Sequence, residues 1–241
     1  MSRPTAQTAL ERRRARQTGF TLIELLVSMI ILAIVGTMLV TTWISLQRAF
    51  EFTQADNTAA STGRDAIDRV ASEVRAAQPC TLSPTTPFCL TLTTPYVCDN
   101  YDCTFYSPYN NKNAAANSGT SGQSAAVLTS IYLDTSGTTS QKKLKLWRDL
   151  NGNGVNDAGD QTILLATNVV NTAASVNRPI FTYVLDTNGN GVYTLANSLN
   201  SGNAKSVVAV KIEVVVDANL NNRPTYVDFV STVRPRNVST N

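Results

Sequence analysis

The sequence predicts an α+β protein, with one long amino-terminal helix packed on a carboxy-terminal antiparallel β-sheet domain. Three observations predict it. An apolar run fills Phe20 to Leu46 with Glu24 as its only charge. A proline-free stretch, residues 47–78, then carries apolar residues at helical spacing. Beyond Cys80 the period shortens to two, broken by turns rich in Asn, Asp and Gly.

Residues 1–19 form a basic leader. Arg3, Arg12, Arg13, Arg14 and Arg16 stand against Glu11, a net of +4, whereas the whole 241-residue chain carries +3. The remainder is therefore close to neutral, at −1, and no nucleic-acid binding is inferred for it. A basic arm abutting an apolar run is a cytoplasmic anchor.

Residues 20–46 form a transmembrane helix, because a bilayer needs about 20 apolar residues to span it. The preceding arginines predict a cytoplasmic amino terminus and an extracytoplasmic remainder. A secretory signal peptide fits less well, since the apolar run is too long and no small-residue cut site follows it. Gly36 is the one weak helix former that interrupts it.

Residues 47–78 continue the helix in amphipathic form. Ile67, Val70, Ala71 and Val74 repeat at i, i+3, i+4 and i+7, with Arg64, Asp65, Asp68, Arg69, Glu73 and Arg75 mostly left to solvent. Residues Asn57 to Gly63 are poorer helix formers, so a bend or frayed turn is expected there. Pro79 ends the helix.

Residues 79–241 make an extracytoplasmic β-rich domain. Short strands broken by prolines and cysteines are expected in Thr81 to Ser107, and a polar loop in Tyr109 to Ser124. Three hairpins follow. The first runs from Lys143 to Trp147, turns through Asp149 to Asp160 and returns through Thr162 to Ala166. The second pairs Phe181 to Leu185 with Val192 to Leu195, and the third pairs Val207 to Val216 with Thr225 to Val233. Alternation in Val210, Ile212, Val214 and Val216 predicts one buried face.

Four cysteines, Cys80, Cys89, Cys98 and Cys103, lie in one short stretch without a CxxC pair, and the chain has no histidine. Mixed Cys/His zinc sites are thereby excluded. Two disulfides suit these cysteines, beyond a membrane segment and in an oxidising compartment, better than a four-thiolate metal site or four free buried thiols, and three pairings remain open.

The turn of the first hairpin has the spacing of a calcium loop. Oxygen side chains occupy positions 1, 3, 5, 9 and 12 as Asp149, Asn151, Asn153, Asp157 and Asp160. Gly154 holds position 6, and Val155 would offer its carbonyl at position 7. Asp160 replaces the usual glutamate, and the flanks are strands. Ca²⁺ is weighed here against a plain Asn/Gly hairpin turn. Weaker echoes start at Asp186 and Asp217, where the turn reading is preferred because acids are missing from the later positions.

Glu24 requires a separate account. A carboxylate in a membrane helix costs about 2.5–3.5 kcal/mol at the centre and less near the face, so it calls for a partner or an interfacial position. Cutting after Gly19 would supply a partner, the new positive amino terminus of Phe20 on a neighbouring helix.

The string Thr18-Gly19-Phe20-Thr21-Leu22-Ile23-Glu24-Leu25 resembles the prepilin cleavage and methylation motif of the type IV pilin superfamily. That superfamily includes pilus subunits and the pseudopilins of type II secretion and competence systems. The resemblance implies that a prepilin peptidase cuts between Gly19 and Phe20 and N-methylates Phe20. It also implies that Glu24 contacts the terminal amine of another subunit. Partners would be other pilin or pseudopilin subunits along the helix, and inner-membrane lipid before assembly.

Within the superfamily the chain is most similar to W-type minor pilins and J-type minor pseudopilins. The similarity lies in Arg64-Asp65-Ala66-Ile67-Asp68-Arg69-Val70, in Val74-Arg75-Ala76-Ala77 and in the ending Val233-Arg234-Pro235-Arg236-Asn237. Thr41 stands where many major pilins carry a proline. The function expected is that of a minor structural subunit, at or near a filament tip; no cofactor is required.

The rival reading is a permanently anchored extracytoplasmic binding protein built around the calcium loop. An enzyme is the poorest reading. Nucleophile–His chemistry is excluded, and no Gly-x-Ser-x-Gly, P-loop or carboxylate pair stands out.

Overall fold

The computed structural model describes residues 19–78, 98–107, 126–136, 142–200, 202–218 and 226–235. Most of the basic leader, Cys80, Cys89, the expected loop of Tyr109 to Ser124, the turn after Asp217 and the ending Arg236-Asn237 lie outside the described residues. The chain divides into two compact units, Met1–Thr53 and Gln54–Asn241.

One helix, α1 (Leu22–Arg75), supplies the helical part of both units. Its first turn is capped by Thr21, and from there to Thr53 its apolar side chains are exposed. By length and composition this part is apolar enough to cross a membrane. Its hydroxyls fold back on the helix's own carbonyls. Ser28 donates to Glu24 O, Thr37 to Ala33 O, Thr42 to Met38 O and Ser45 to Thr41 O, each at 2.7–2.9 Å. Polar atoms satisfied in this way carry little desolvation penalty in an apolar medium.

The part of α1 in the second unit buries Ala59, Gly63, Ala66, Ile67, Val70, Ala71 and Val74. These positions form one stripe and include the four residues whose spacing predicted it. Asn57 to Gly63 does not fray, because α1 is continuous through it. The reason is tertiary: Ala59 and Gly63 face the sheet, and packing outweighs weak propensity. Gly63 is required there. A Cβ at this position would lie 2.1 Å from Cε2 of Phe229. The regular helix stops at Arg75, three residues before the predicted end, and Gln78 forms an isolated bridge to Tyr106.

The described strands are β1 (Asp102–Ser107), β2 (Val127–Asp134), β3 (Lys142–Arg148), β4 (Gln161–Val169), β5 (Phe181–Leu185), β6 (Thr194–Ala196), β7 (Val207–Asp217) and β8 (Tyr226–Val233). They form one antiparallel sheet, curled around its core, in the order β1-β2-β3-β4-β7-β5-β6, with β8 paired to β7. The three expected hairpins are present as β3–β4, β5–β6 and β7–β8. Strand β2 is an additional element that the residue pattern does not single out. The predicted stripe Val210, Ile212, Val214 and Val216 is buried with the helix stripe, Phe105, Ile131, Leu146, Phe181 and Tyr183 in one core.

A buried ion pair pins the helix to this sheet. Arg148, at the end of β3 and 1% exposed, donates to Glu73 Oε1 on α1 and to Gln161 Oε1 on β4. Glu73 also accepts from Arg69 Nε at 3.1 Å, one helical turn away.

Candidate functional site

Gly19 and Phe20 precede the helix in non-helical backbone, and Phe20 is 78% exposed. Thr21 ends this segment. Its Oγ1 accepts the backbone N–H of Glu24 at 3.3 Å, and its carbonyl accepts from Glu24 N at 3.1 Å and Leu25 N at 3.2 Å. Thr21 is therefore the N-cap and Glu24 the third helical residue, the Thr-x-x-Glu spacing of a capping box. The glutamate also sits where the helix dipole favours negative charge.

This arrangement keeps the Gly19–Phe20 peptide outside α1, where its amide belongs to no helical hydrogen-bond ladder. A cut there would leave the first helical turn intact. It would also free an amine four residues ahead of an exposed carboxylate on the same helix end. Four residues along one chain place the pair beside each other at the helix start; neighbouring helices in a bundle could exchange the contact. Thr21 is the functional residue that the sequence reading overlooked. Its signal was present as Thr-x-x-Glu immediately before an apolar run.

The predicted calcium loop forms the β3–β4 turn. Asp149, buried at its base, accepts from Gly152 N at 2.6 Å through Oδ1 and from Gly154 N at 2.7 Å through Oδ2. Asp160 accepts from Leu150 N at 3.0 Å and from Trp147 Nε1 at 3.0 Å. Asp157 accepts from Gly159 N and from the side-chain amides of Asn151 and Asn153 at 2.7–2.9 Å. These donors, the Gly159 N–H first, hold its carboxyl below the usual carboxylate range. Gly152 and Gly154 take positive φ values of 76° and 72°, which a turn of this shape demands.

The loop is thus wrapped around Asp149 by its own backbone. The Asp186 loop starts in the same way, with Gly191 N donating to Asp186 Oδ2 at 3.2 Å. Among the described residues, no three His, Cys, Asp or Glu side chains group as a metal cluster would. A cation at the first loop would therefore need Asn oxygens and the Val155 carbonyl.

Cys98 and Cys103 are both buried in the core as thiols, on either side of a tight turn. Neither is near the helix start or the β3–β4 loop in sequence, and they belong to the interior of the β domain.

No curated protein and no solved structure matches the chain. Residues 14–40 match the family described as the prokaryotic N-terminal methylation motif. The matched segment contains the exposed Gly19–Phe20 junction, the Thr21 cap and Glu24. The motif, with a long helix packed on an antiparallel sheet, supports a type IV pilin-like structural subunit anchored by its apolar helix, processed by a prepilin peptidase and assembled with other pilins.

Proposed function

We propose that the chain is a minor pilin or pseudopilin, cut between Gly19 and Phe20, N-methylated at Phe20 and placed at or near the tip of a filament. The observation that carries this reading is the junction itself. A capped helix begins two residues after it, and a carboxylate stands in the first turn. Before assembly, residues 20–46 hold the subunit in the inner membrane, with residues 79–241 on the extracytoplasmic side. In the filament the same apolar face packs against other subunits, and Glu24 of one helix neutralises the amine of Phe20 on another.

The minor rather than bulk role rests on the head. A domain with eight described strands is a large head, and large heads are hard to pack side by side many times over in a fibre. The W-type and J-type likenesses in α1 point the same way. Quantitative mass spectrometry of sheared, purified filaments tests this. The expected result is that the chain co-purifies at a small fraction of the main subunit; equal or greater abundance would contradict the minor role.

Calcium binding at Asp149, Asn151, Asn153, Val155, Asp157 and Asp160 belongs to the same proposal as an accessory feature of the head. It is supported by the wrap of the loop around Asp149, in which Gly154 N–H meets the first carboxylate. The anchored binding protein is the second reading; a chain that keeps its leader would favour it.

A further inference from the structure

Among the described residues, the β domain contains one thiol pair, Cys98 and Cys103, that none of the roles above uses. Asp99 N–H donates to Asp102 O at 2.9 Å, so the chain reverses tightly between these residues. The Asp99 carboxylate braces the turn, accepting from Tyr101 N at 2.7 Å and Asp102 N at 3.0 Å. In a reversal of this kind the flanking residues, Cys98 and Cys103, occupy facing positions. Facing residues on antiparallel strands have Cα atoms about 4.5–5.5 Å apart, inside the span of about 4.4–6.8 Å that a disulfide requires.

Side-chain contacts agree with this placement. The two thiols and the Tyr183 hydroxyl lie close enough to perturb one another, and that hydroxyl donates to Asp99 O and Asp102 O, each at 3.5 Å. Cys98 Sγ also accepts from Thr104 N at 3.3 Å, which turns it towards β1. Both cysteines are almost fully buried.

We propose that Cys98 and Cys103 form a disulfide with each other in the mature protein, closing the Asp99–Asp102 turn. Two S–H bonds break and one S–S bond forms. The two electrons pass to the disulfide of an extracytoplasmic thiol–disulfide oxidoreductase, which is reduced to a dithiol and takes up the two protons. The inference rests on the extracytoplasmic placement proposed above. It leaves Cys80 and Cys89, outside the described residues, as each other's remaining partners within the chain.

Burial fixes the order of events. It pushes the Cys103 thiol well above its ordinary range. A thiol held protonated in the core is a poor nucleophile, so oxidation precedes closure of the core around Tyr183. Once formed, the bond is shielded from reductants by the same burial.

The turn that the disulfide closes is a junction between distant parts of the sheet. Asn100 O accepts from Ile180 N at 2.7 Å and Phe181 N at 3.0 Å, at the start of β5. Tyr101 O accepts from Leu133 N of β2, and Cys98 O accepts from Leu199 N. Fixing this turn therefore holds β1 and β5 together, although three strands and β7 separate them along the hydrogen-bonded order.

The test uses the full chain extracted from membranes, with free thiols blocked by N-ethylmaleimide as the protein is unfolded. A non-reducing digest that cuts after Phe88, Tyr96, Tyr101 and Phe105 separates all four cysteines. The expected product is Val97–Tyr101 joined to Asp102–Phe105, with loss of the N-ethylmaleimide adducts of both. Joining of Cys98 or Cys103 to Cys80 or Cys89 would overturn the pairing. If all four thiols are labelled, the chain is unfolded and refolded in a glutathione redox buffer. The Cys98–Cys103 link appearing then supports the pairing and counts against the extracytoplasmic placement; its absence there overturns the pairing. In a Cys98→Ser variant, Cys103 should become labelled while labelling of Cys80 and Cys89 stays as before.

Discussion

Thr21 holds the backbone N–H of Glu24 through both its Oγ1 and its carbonyl, and the Glu24 side chain has two uses to be told apart. As a capping residue Glu24 needs only an acceptor, which glutamine also supplies. As a partner for a terminal amine it needs its charge. Glu24→Gln should therefore leave cleavage and membrane anchoring unchanged while reducing incorporation into filaments by about tenfold, on the order of one lost charge-assisted contact. Immunoblots of sheared filaments against whole cells measure it. Wild-type incorporation of Glu24→Gln would reduce Glu24 to a helix cap.

Asp102 makes the stability of the β domain depend on pH. Burial, then the charge of Asp99, raises its pKa from 3.8 to about 6, against the smaller opposing effect of Leu133 N–H. A carboxyl that binds its proton more tightly when folded contributes stability below about pH 4, and that contribution is lost as pH rises through about 6. At pH 7 the folded charge is thus a liability of about 1–2 kcal/mol, after allowance for its partial exposure. Asp102→Asn, which keeps an oxygen for Leu133 N–H, should raise the melting temperature at pH 7 and leave it unchanged at pH 3.5. An equal effect at both pH values would show that the charge is not responsible.

At the scale of elements, α1 is held to the sheet by an apolar stripe and one buried ion pair. Glu73→Ala leaves Arg148 charged inside the core, a change that costs about 3–5 kcal/mol. Replacing the pair together, Glu73→Leu with Arg148→Met, should recover most of that loss, since well-packed apolar side chains often match a buried pair. Denaturant unfolding of the detergent-solubilised chain compares the three proteins. Additive losses in the double variant would mean that the two residues act separately.

The β3–β4 loop is the second element with a direct test. Calcium should raise the melting temperature of the wild-type chain, and Asp149→Asn with Asp157→Asn should abolish the rise. An unchanged wild-type midpoint would leave the loop as a hairpin turn braced by Asp149 and its two glycine N–H donors.

The elements also divide by how far the residues reveal them. The stripe of α1 was legible because the helix has one covered face and one open face, and β7 because polar Lys211 and Glu213 alternate with Val210, Ile212 and Val214, although Ile212 to Asp217 are all buried. Strand β2 was not, because Val127 to Ile131 are all buried and burial on both faces removes the period-two pattern. Continuity of α1 through Asn57 to Gly63 was hidden for a different reason. The residues that cover this turn are remote, and Phe229, which sits against Gly63, lies more than 160 residues away in sequence.

For the whole molecule, the amino-terminal motif was legible because its parts are contiguous: Gly19, Phe20 and Glu24 lie in one short string, and only the capping role of Thr21 within it was overlooked. The sheet order was not. Pairing of Val169 with Val216, which joins β4 to β7 across the β5–β6 hairpin, is a long-range contact with no local signature. Facing of Cys98 and Cys103 is local, but only the Asp99–Asp102 hydrogen bond distinguishes it from the two other pairings.

The central claim is that the Gly19–Phe20 junction is a processing site and not an incidental feature of a membrane anchor. Intact mass and amino-terminal sequencing of the membrane-extracted chain, made with its own prepilin peptidase, test it most directly. A chain that begins at N-methylated Phe20 is the predicted result. A chain that retains its leader beside an active peptidase would contradict it, and the anchored binding protein would then be the better account.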